Sequence, residues 1–295
     1  MKDKIDTDTK VLGLIGNPVE DSLSPKLQNR AIDELGLNYR YFAFPVEEGS
    51  VKEAVTGARA LGLKGLNVTV PHKEKTAELA DELTDAAEAI GAVNTVLFRE
   101  NGGILGDNTD WTGFLESLKL RDSNPEGQSC LVFGAGGGAR GVVYGLIQGG
   151  AKEIMVANRT YERAKKLVKD MKDLEADAEL AARSLDEEEL EGSVEAADLI
   201  VNATSVGMGD SRGKSIWNRT ECFQAGQLVY DLIYNPSPTK FLKLANNQGA
   251  ETAGGLDMLI LQGLASLKKW TGKEFSAGEL LTVLRKELSG LCNSR

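Results

Sequence analysis

Residues 134–139 read Gly-Ala-Gly-Gly-Gly-Ala and lie between a short apolar run at 130–133 and an amphipathic stretch at 139–148. This spacing fits G-x-G-x-x-G/A: Gly134 permits a tight turn, Gly136 lets the backbone approach a pyrophosphate, and Ala139 allows close helix–sheet packing. Ala135, Gly137 and Gly138 complete a loop that runs into a helix N-terminus, whose free N–H groups and positive dipole end suit phosphates. Glycine-rich turns also serve as plain connections, so the strand before and the helix after are what favour a dinucleotide site. After the next apolar run, at 153–157, an NAD enzyme commonly places Asp or Glu on the ribose 2′-hydroxyl. Here stands Asn158-Arg159-Thr160. No carboxylate repels a 2′-phosphate, Arg159 can pair with one, Thr160 can donate to it, and Arg163, one helical turn on, can add a second charge. The run favours NADP over NAD, although in isolation both arginines would also suit an exposed helix start.

Four polar clusters interrupt otherwise apolar elements in the first half. Ser22-Leu23-Ser24-Pro25 suits a helix start, with Ser24 as N-cap and Pro25 in the first turn, and its two hydroxyls also suit a carboxylate. Asn67-Val68-Thr69-Val70-Pro71-His72-Lys73 ends a strand whose alternation puts Asn67 and Thr69 on one face and points His72 away from it. Gly91-Ala92-Val93-Asn94-Thr95 and Gly106-Asp107-Asn108-Thr109-Asp110 each bring an Asn and a Thr to a strand margin, an unfavourable choice for β-structure unless the side chains are needed there. Each cluster alone is compatible with a turn or a cap. Together they suggest a polar pocket at strand ends, where open α/β sheets bind ligands.

Such clusters need a scaffold, and alternating apolar runs and amphipathic stretches supply one. The pattern predicts strands at 11–15, 39–46, 66–70, 92–99 and 104–106, with helices at 24–35, 50–61, 73–83, a short one ending near 90, and 110–119. The turn-forming stretch 121–129 (RDSNPEGQS) marks a domain boundary. Beyond it come strands at 130–133, 153–157, 199–202 and 228–231 and helices at 139–148 and 161–172. The acidic stretch 174–195 reads as a solvated helical face without a site, and 256–270 and 277–288 read as helices beyond the last strand. The expected fold is α/β with a mostly parallel sheet, and 295 residues at about 150 per domain give two domains.

Composition excludes several classes. A net charge of −10 argues against a general nucleic-acid or acidic-membrane surface. The longest apolar runs, at 11–15 and 258–261, fall far short of the roughly 18 residues that span a bilayer. Residues 1–10 mix Lys with Asp and have no apolar centre, so no secretory signal is read and a cytoplasmic location is expected. Cys130, Cys222 and Cys292 lie far apart and His72 is the one histidine, so neither a metal site nor a disulfide framework is expected. Thirty-three glycines make about 11% of the chain against a usual ~7%, and several occupy the loops named above.

Ser22-x-Ser24-Pro25, Asn67-Val68-Thr69-x-Pro71-x-Lys73, Ala92-Val93-Asn94-Thr95, Gly106-x-Asn108-Thr109-Asp110, the glycine loop, Asn158-Arg159-Thr160, Asp231-x-x-Tyr234-x-Pro236 and Gly255-x-x-Met258-Leu259-x-x-Gln262 stand in the order and spacing of shikimate dehydrogenases. The chain resembles that family from about residue 11 to 262 and beyond, with Gln28 standing where the family often has His. The resemblance implies an N-terminal α/β substrate domain and a Rossmann-like, doubly wound NADP-binding domain. It also implies C-terminal helices that return to the first domain, dividing the chain into 1–120 with 256–295, and 121–255. The implied reaction is NADPH-dependent, reversible reduction of 3-dehydroshikimate to shikimate, on the route to aromatic amino acids. By position, Ser22 and Ser24 would bind the substrate carboxylate with Tyr234 nearby, while Asn67, Thr69, Asn94, Asp110 and Gln262 would hold ring hydroxyls. Lys73 and Asp110 would form the catalytic pair, and Asp85, Leu232 and Gly255 would border the cofactor.

The residue types suit that chemistry. Hydride reaching the C3 carbonyl calls for a donor at the developing alkoxide, for which Lys73 is the candidate. A helix N-terminus disfavours its ammonium and the Asp110 carboxylate favours it. In isolation Lys73 would read as an exposed charge at a helix start, Asp110 as an N-cap, and Met258 as packing. A quinate or quinate/shikimate dehydrogenase is the nearest rival, and Asn158-Arg159-Thr160 argues against it. A non-catalytic shikimate-binding sensor is a rival of another class, and the retained Lys73 and Asp110 argue against that. The expected partners are a small-molecule substrate and NADP, with no nucleic acid or membrane, in a monomer or homodimer.

Overall fold

The computed structural model describes residues 5–172, 174 and 177–292. The chain divides into two compact units, residues 1–109 with Ile260–Leu288, and Asp110–Leu259 with the chain end from Ser289. In the first unit β1 (Lys10–Gly16), β2 (Tyr39–Pro45), β3 (Gly65–Val68), β4 (Glu82–Leu83), β5 (Thr95–Phe98) and β6 (Ile104–Asp107) form one sheet in the order β2-β1-β3-β5-β6-β4. β1 lies between β2 and β3, parallel to both, and buries Leu12, Leu14 and Ile15. Each such side chain contributes about 1.5–3 kcal/mol on burial.

This sheet is mixed, with β5 antiparallel to β3 and to β6 and the other pairings parallel. The connection at 99–103 permits a hairpin, whereas a parallel return needs a crossover of a dozen or more residues. Helices α1 (Ser24–Glu34), α2 (Val51–Ala60), α3 (Lys73–Leu79) and α4 (Asp85–Ile90) complete the N-terminal part. The helix expected over 73–83 ends at Leu79 because Asp81 joins the sheet. Its N–H donates to the Ile104 carbonyl at 2.9 Å and its Oδ2 accepts from the Ile104 N–H at 2.8 Å. Glu82 and Leu83 then pair with Leu105 and Gly106.

In the second unit β7 (Ser129–Phe133), β8 (Glu153–Asn158), β9 (Glu179–Ser184), β10 (Leu199–Asn202), β11 (Leu228–Asp231) and β12 (Glu251–Gly254) form an all-parallel sheet. Its order is β12-β11-β10-β7-β8-β9, the doubly wound arrangement whose direction reverses between β7 and β10. Helices α5 (Asp110–Lys119), α6 (Gly137–Gln148), α7 (Tyr161–Lys172), α8 (Glu187–Ala196) and α9 (Lys240–Asn246) accompany it. One core gathers Val132, Val156, Val201, Val142 and Phe114, and the other gathers Leu131, Phe133, Ile200, Trp217 and Phe241.

β9, β12 and α9 are absent from the sequence pattern. β9 (ELAARS) and β12 (ETAG) are edge strands with few β-branched residues, so they lack the apolar signature of the central strands. β9 lies inside the acidic stretch that reads as a helical face, and only α8 matches that reading. Residues 175 and 176 of the stretch lie outside the described residues, as do residues 1–4 of the segment read as lacking a secretory signal.

The compact units also divide earlier than the polar stretch at 121–129 suggests. α5 buries its apolar side in the second unit. Trp111 meets Tyr144 edge-on at 5.3 Å, Phe114 meets Tyr230 likewise at 5.3 Å, and the Ser117 and Tyr230 hydroxyls lie 2.8 Å apart. Helix α10 (Leu256–Thr271) begins in the second unit, with Met258 in its core, and continues in the first; α11 (Ala277–Ser289) follows.

Within the first unit α10 is keyed to the sheet by Trp270, whose Nε1 donates to the Val96 carbonyl at 2.9 Å. Gln28 is buried and donates through Nε2 to the Gly263 carbonyl at 2.8 Å, another tie between α1 and α10. The Trp270 contact requires glycine at 65: a Cβ there would stand 2.0 Å from Trp270 Nε1 and 2.6 Å from the Val96 oxygen. Gly65→Ala is therefore expected to cost about 1–3 kcal/mol of stability. A urea unfolding midpoint equal to that of the wild type would refute this docking of α10.

Candidate active site and dinucleotide site

The polar cluster of the first unit is built from β3, the loop entering β5, the exit of β6 and one face of α10. Asn94 is at its centre. Its Oδ1 accepts from the Thr95 hydroxyl at 2.8 Å, the Thr109 N–H at 2.8 Å and the Thr109 hydroxyl at 3.2 Å. Its Nδ2 reaches Thr109 Oγ1 at 3.0 Å and Gln262 Oε1 at 3.1 Å. Asn67 Oδ1 accepts from the Tyr41 hydroxyl at 2.8 Å, and its Nδ2 donates to the Asn94 carbonyl at 3.1 Å and to Ser266 Oγ at 3.1 Å. Ser266 also meets Thr95 at 2.8 Å and Thr109 at 3.1 Å. All of these side chains except that of Gln262 are nearly inaccessible, and buried polar groups are tolerated at this density only when they are paired.

Sequence reasoning names Asn67, Asn94 and Gln262 but not Ser266 or Tyr41, and it quotes Thr95 and Thr109 only as motif members. Ser266 lies four residues after Gln262 and so shares its helix face, a signal masked by the apolar character of α10.

The exit of β6 is fixed by a buried carboxylate. Asp107 Oδ1 accepts from the Asn108 N–H at 2.7 Å and the Thr84 hydroxyl at 2.7 Å, and its Oδ2 pairs with Lys269 Nζ at 2.6 Å. Thr84 caps α4 by accepting from the Ala87 N–H. Asn108 donates to the Ala92 carbonyl at 2.8 Å. Asp110, buried, opens α5 directly after Thr109. Lys73 opens α3, is half-buried, and its carbonyl accepts from the Val93 N–H at 2.9 Å. The segments that carry Lys73 and Thr109 are thus both tied to residues 93–94.

Other candidates stand outside that network. Ser24 is the first residue of α1 and Leu23 its N-cap; Ser22 contributes by accepting from the Ser24 N–H at 3.2 Å. Thr69 is half-buried and stands outside the Asn94 network, with its methyl packed near Gly16. Asp85 is exposed in the first turn of α4, in the first unit. His72 is buried with Nε2 2.6 Å from the Val46 carbonyl, which leaves it a structural role.

In the second unit the glycine loop leaves β7 at the point where strand order reverses. Gly134 has φ +116°, a conformation that glycine alone adopts readily, and a Cβ there would stand 3.0 Å from the Ala203 oxygen at the end of β10. Gly136 is the extended N-cap of α6 without a side-chain cap, and nothing lies within 4 Å of where its Cβ would be. The α6 N-terminus therefore keeps its donors and the space in front of them. Asn158 Nδ2 donates to the Thr160 carbonyl at 2.9 Å and shapes the turn, while Arg159, Thr160 and Arg163 are exposed. Arg159 has no ion pair among the described residues. Arg140 is engaged elsewhere, in a pair with Asp170 at 2.8 Å. Burial raises the Asp170 carboxyl, but Lys166 and Arg140 outweigh it and hold the group below the ordinary range. Burial, and then the charge of Asp198, pushes the Cys130 thiol up to about 12, so that cysteine is inert.

Among the described residues no group of three or more His, Cys, Asp or Glu is disposed to hold a metal, and no helix is long and apolar enough to cross a membrane.

Comparison with known proteins matches residues 14–96 to the shikimate dehydrogenase substrate binding domain and residues 118–208 to the shikimate/quinate 5-dehydrogenase family. A shikimate dehydrogenase (NADP(+)) of Methanopyrus kandleri is 45% identical over 92% of this chain and 93% of its own. Shikimate 5-dehydrogenase of Listeria monocytogenes, solved with shikimate and NAD, superposes with a TM-score of 0.86 at 34% identity, covering 96% of this chain and 99% of that one. The Thermus thermophilus enzyme, solved with NADP(H) and shikimate, gives 0.82 at 33% identity over 94% of this chain and 99% of its own.

The Asn94 network gives a test of its own. Ser266→Ala leaves Asn67, Thr95 and Thr109 each without one partner inside the protein. A loss of about 1–3 kcal/mol is expected, and Ser266→Thr, which keeps the hydroxyl, is expected to lose less. Equal denaturation midpoints for Ser266→Ala and wild type would show that the network is not held through α10.

Proposed function

The chain belongs to the shikimate dehydrogenase family, and from that premise we propose that it catalyses the reversible, NADPH-dependent reduction of 3-dehydroshikimate to shikimate. The observation that carries this reading is the match of the two halves. The substrate-domain resemblance, residues 14–96, falls in the unit that holds the Asn94 cluster, and the dehydrogenase resemblance, 118–208, falls in the unit that holds the glycine loop.

The residues present fit NADP. The α6 N-terminus has open donors, and the exit of β8 offers Arg159 in place of a carboxylate. Gly134, Ala135, Gly136, Gly137 and Gly138 would cradle the pyrophosphate, and Asn158, Arg159, Thr160 and Arg163 the 2′-phosphate. Asp85, Leu232 and Gly255 would border the remainder. When bound, NADPH supplies the hydride. Lys73 gives a proton to the C3 oxygen as the carbonyl is reduced, and takes it back in the reverse direction. Asp110 is its partner in the catalytic pair that the family resemblance assigns. Ser22, Ser24 and Tyr234 take the substrate carboxylate, and Asn67, Thr69, Asn94, Asp110 and Gln262 take the ring hydroxyls. Because Asn94 Nδ2 already donates to Gln262 Oε1, a substrate hydroxyl can enter by exchanging with that bond, which avoids leaving either amide unpaired. The proposed setting is a cytoplasmic monomer or homodimer serving the synthesis of aromatic amino acids.

Following reduced nicotinamide by near-ultraviolet absorbance tests the assignment. Shikimate with NADP+ is the pair expected to turn over, and equal rates with quinate would reassign the substrate. Lys73→Ala is expected to lower kcat by about 10²–10⁴-fold, and near-normal turnover would remove Lys73 from the chemistry. Arg159→Ala should raise KM for NADP+ by about tenfold or more, the loss of one charge-assisted bond. KM for NAD+ should change little, and a parallel rise would place Arg159 away from the 2′-phosphate.

A further inference from the structure

Two loops of the second unit lie against the glycine loop, and they leave from the adjacent ends of β10 and β11. After β10, Ala203 and Thr204 stand 3.0 and 3.1 Å from where a Cβ of Gly134 would be. After β11, Leu232 Cδ2 stands 3.6 Å from the corresponding point at Gly138, and the Leu232 oxygen 2.0 Å from that at Gly255.

Asp231, in register with Asn202 of β10, closes β11 and is fully buried. Its Oδ1 accepts from Asn202 Nδ2 at 3.0 Å and the Ile233 N–H at 3.0 Å, and its Oδ2 accepts from the Thr239 hydroxyl at 2.7 Å. Asn202 Oδ1 in turn accepts from the Thr204 N–H at 3.0 Å and its hydroxyl at 2.7 Å. Thr239 caps α9 by accepting from the Leu242 N–H at 3.3 Å. One carboxylate thus gathers the start of the 203–208 loop and both ends of the 232–239 loop.

A charge in this position is costly, since the flanking Val201 and Tyr230 are fully buried and, among the described residues, no cation faces the carboxylate. What it supplies in return is directed bonds. We propose that Asp231 is a positioning residue for the hydride transfer, holding through Asn202 and Thr239 the loop that presents Leu232 to the glycine loop and goes on to Tyr234. This rests on the functional reading above, which assigns Leu232 to the cofactor and Tyr234 to the substrate.

The hold depends on pH. Burial pushes the Asp231 carboxyl up to about 6, and the bonds from Thr239, Ile233 and Asn202 pull it back only in part. β10 and the start of α9 present Asn202 and Thr239 to it, and β12 runs alongside with Gly254 in register, so among the described residues no second titrating group enters. Above about pH 6 the ionised group accepts all three bonds; below it a proton displaces one of them. Stability moves the other way. The folded pKa lies above the ordinary 3.8, so lowering pH from about 6 to about 4 favours the folded state through this group. A merely structural carboxylate would not weaken nucleotide binding in the window where it ceases to cost stability.

The test compares wild type, Asp231→Asn, Thr239→Val and Thr239→Ser in the full chain, reading kcat and KM for NADP+ with shikimate, and NADPH affinity by its fluorescence, between about pH 5 and 8. Wild-type kcat/KM is expected to fall below about pH 6. Asp231→Asn should lose about tenfold in nucleotide affinity at pH 7–8 and lack that inflection, with a thermal midpoint no lower than wild type. Thr239→Val should move the inflection to higher pH, and Thr239→Ser should restore it. Wild-type constants in Asp231→Asn, or an inflection shared by it and wild type, would overturn the proposal. Should the wild type fail to oxidise shikimate, the functional reading falls, and the NADPH titration still decides the role of Asp231 by the same two outcomes.

Discussion

Asn94 sits where four elements of the first unit must meet, and its amide can satisfy them only in one arrangement. The oxygen takes the Thr95 hydroxyl and both donors of Thr109, and the nitrogen takes Gln262 and Thr109. β5 has to run antiparallel to both neighbours for the loop before it and the exit of β6 to end side by side. α10 has to dock at Gly65 and Gly263 for Gln262 and Ser266 to arrive from the opposite direction. If any one partner were displaced, a buried donor or acceptor would be left open at a cost of about 1–3 kcal/mol. The neutral network thereby specifies the mixed sheet and the returning helix together.

The second unit meets a similar demand with the opposite chemistry. Its parallel strands end in loops that must approach the glycine loop closely, and the binding edge must stay open for an anionic dinucleotide. The first unit orders its strand ends mainly with neutral amides, and its one carboxylate in this role, Asp107 at the exit of β6, has a cation, Lys269, to pair with. At the reversal between β7 and β10 the chain has to leave donors free, and the order of the two central loops falls to the buried carboxylate of Asp231. A buried charge is weak evidence of stability, so its retention there is better explained by geometry than by folding energy.

The sequence made the central strands legible because Leu131, Val132, Ile200 and Val201 form near-continuous apolar runs, as strands buried on both faces do. It made the glycine loop and Asn158-Arg159-Thr160 legible because their spacing has a mechanical reason. Edge strands β9 and β12 were not legible, since half-buried strands need no apolar pattern. Nor was the unit boundary, because a polar stretch shows where the chain turns and not where the preceding helix buries its face. In the site, Asn67 and Asn94 stood out as amides within strand margins. Ser266, Lys269 and Tyr41 could not stand out, since their parts depend on partners that are 171, 162 and 26 residues away. Ser24 illustrates the limit of local rules: the Ser-Pro pair suits an N-cap, yet the neighbouring Ser22 hydroxyl takes the Ser24 N–H, and the helix starts one residue earlier.

A net charge of −10 would appear hostile to a dinucleotide phosphate and a carboxylate substrate. The acids that make up this charge lie largely on outer faces, and across more than a Debye length of about 8 Å at physiological salt their field is screened. At contact distance different groups act. The α6 N-terminus presents N–H donors without a competing side-chain cap, Arg159 stands just past β8 with no ion pair among the described residues, and Arg140 is engaged by Asp170. Two buried carboxylates that close strands, Asp231 and Asp107, spend their oxygens on internal donors. Whether an acidic protein can hold two anions is therefore decided by which carboxylates are already occupied, and the fold occupies those closest to the strand ends before any ligand arrives.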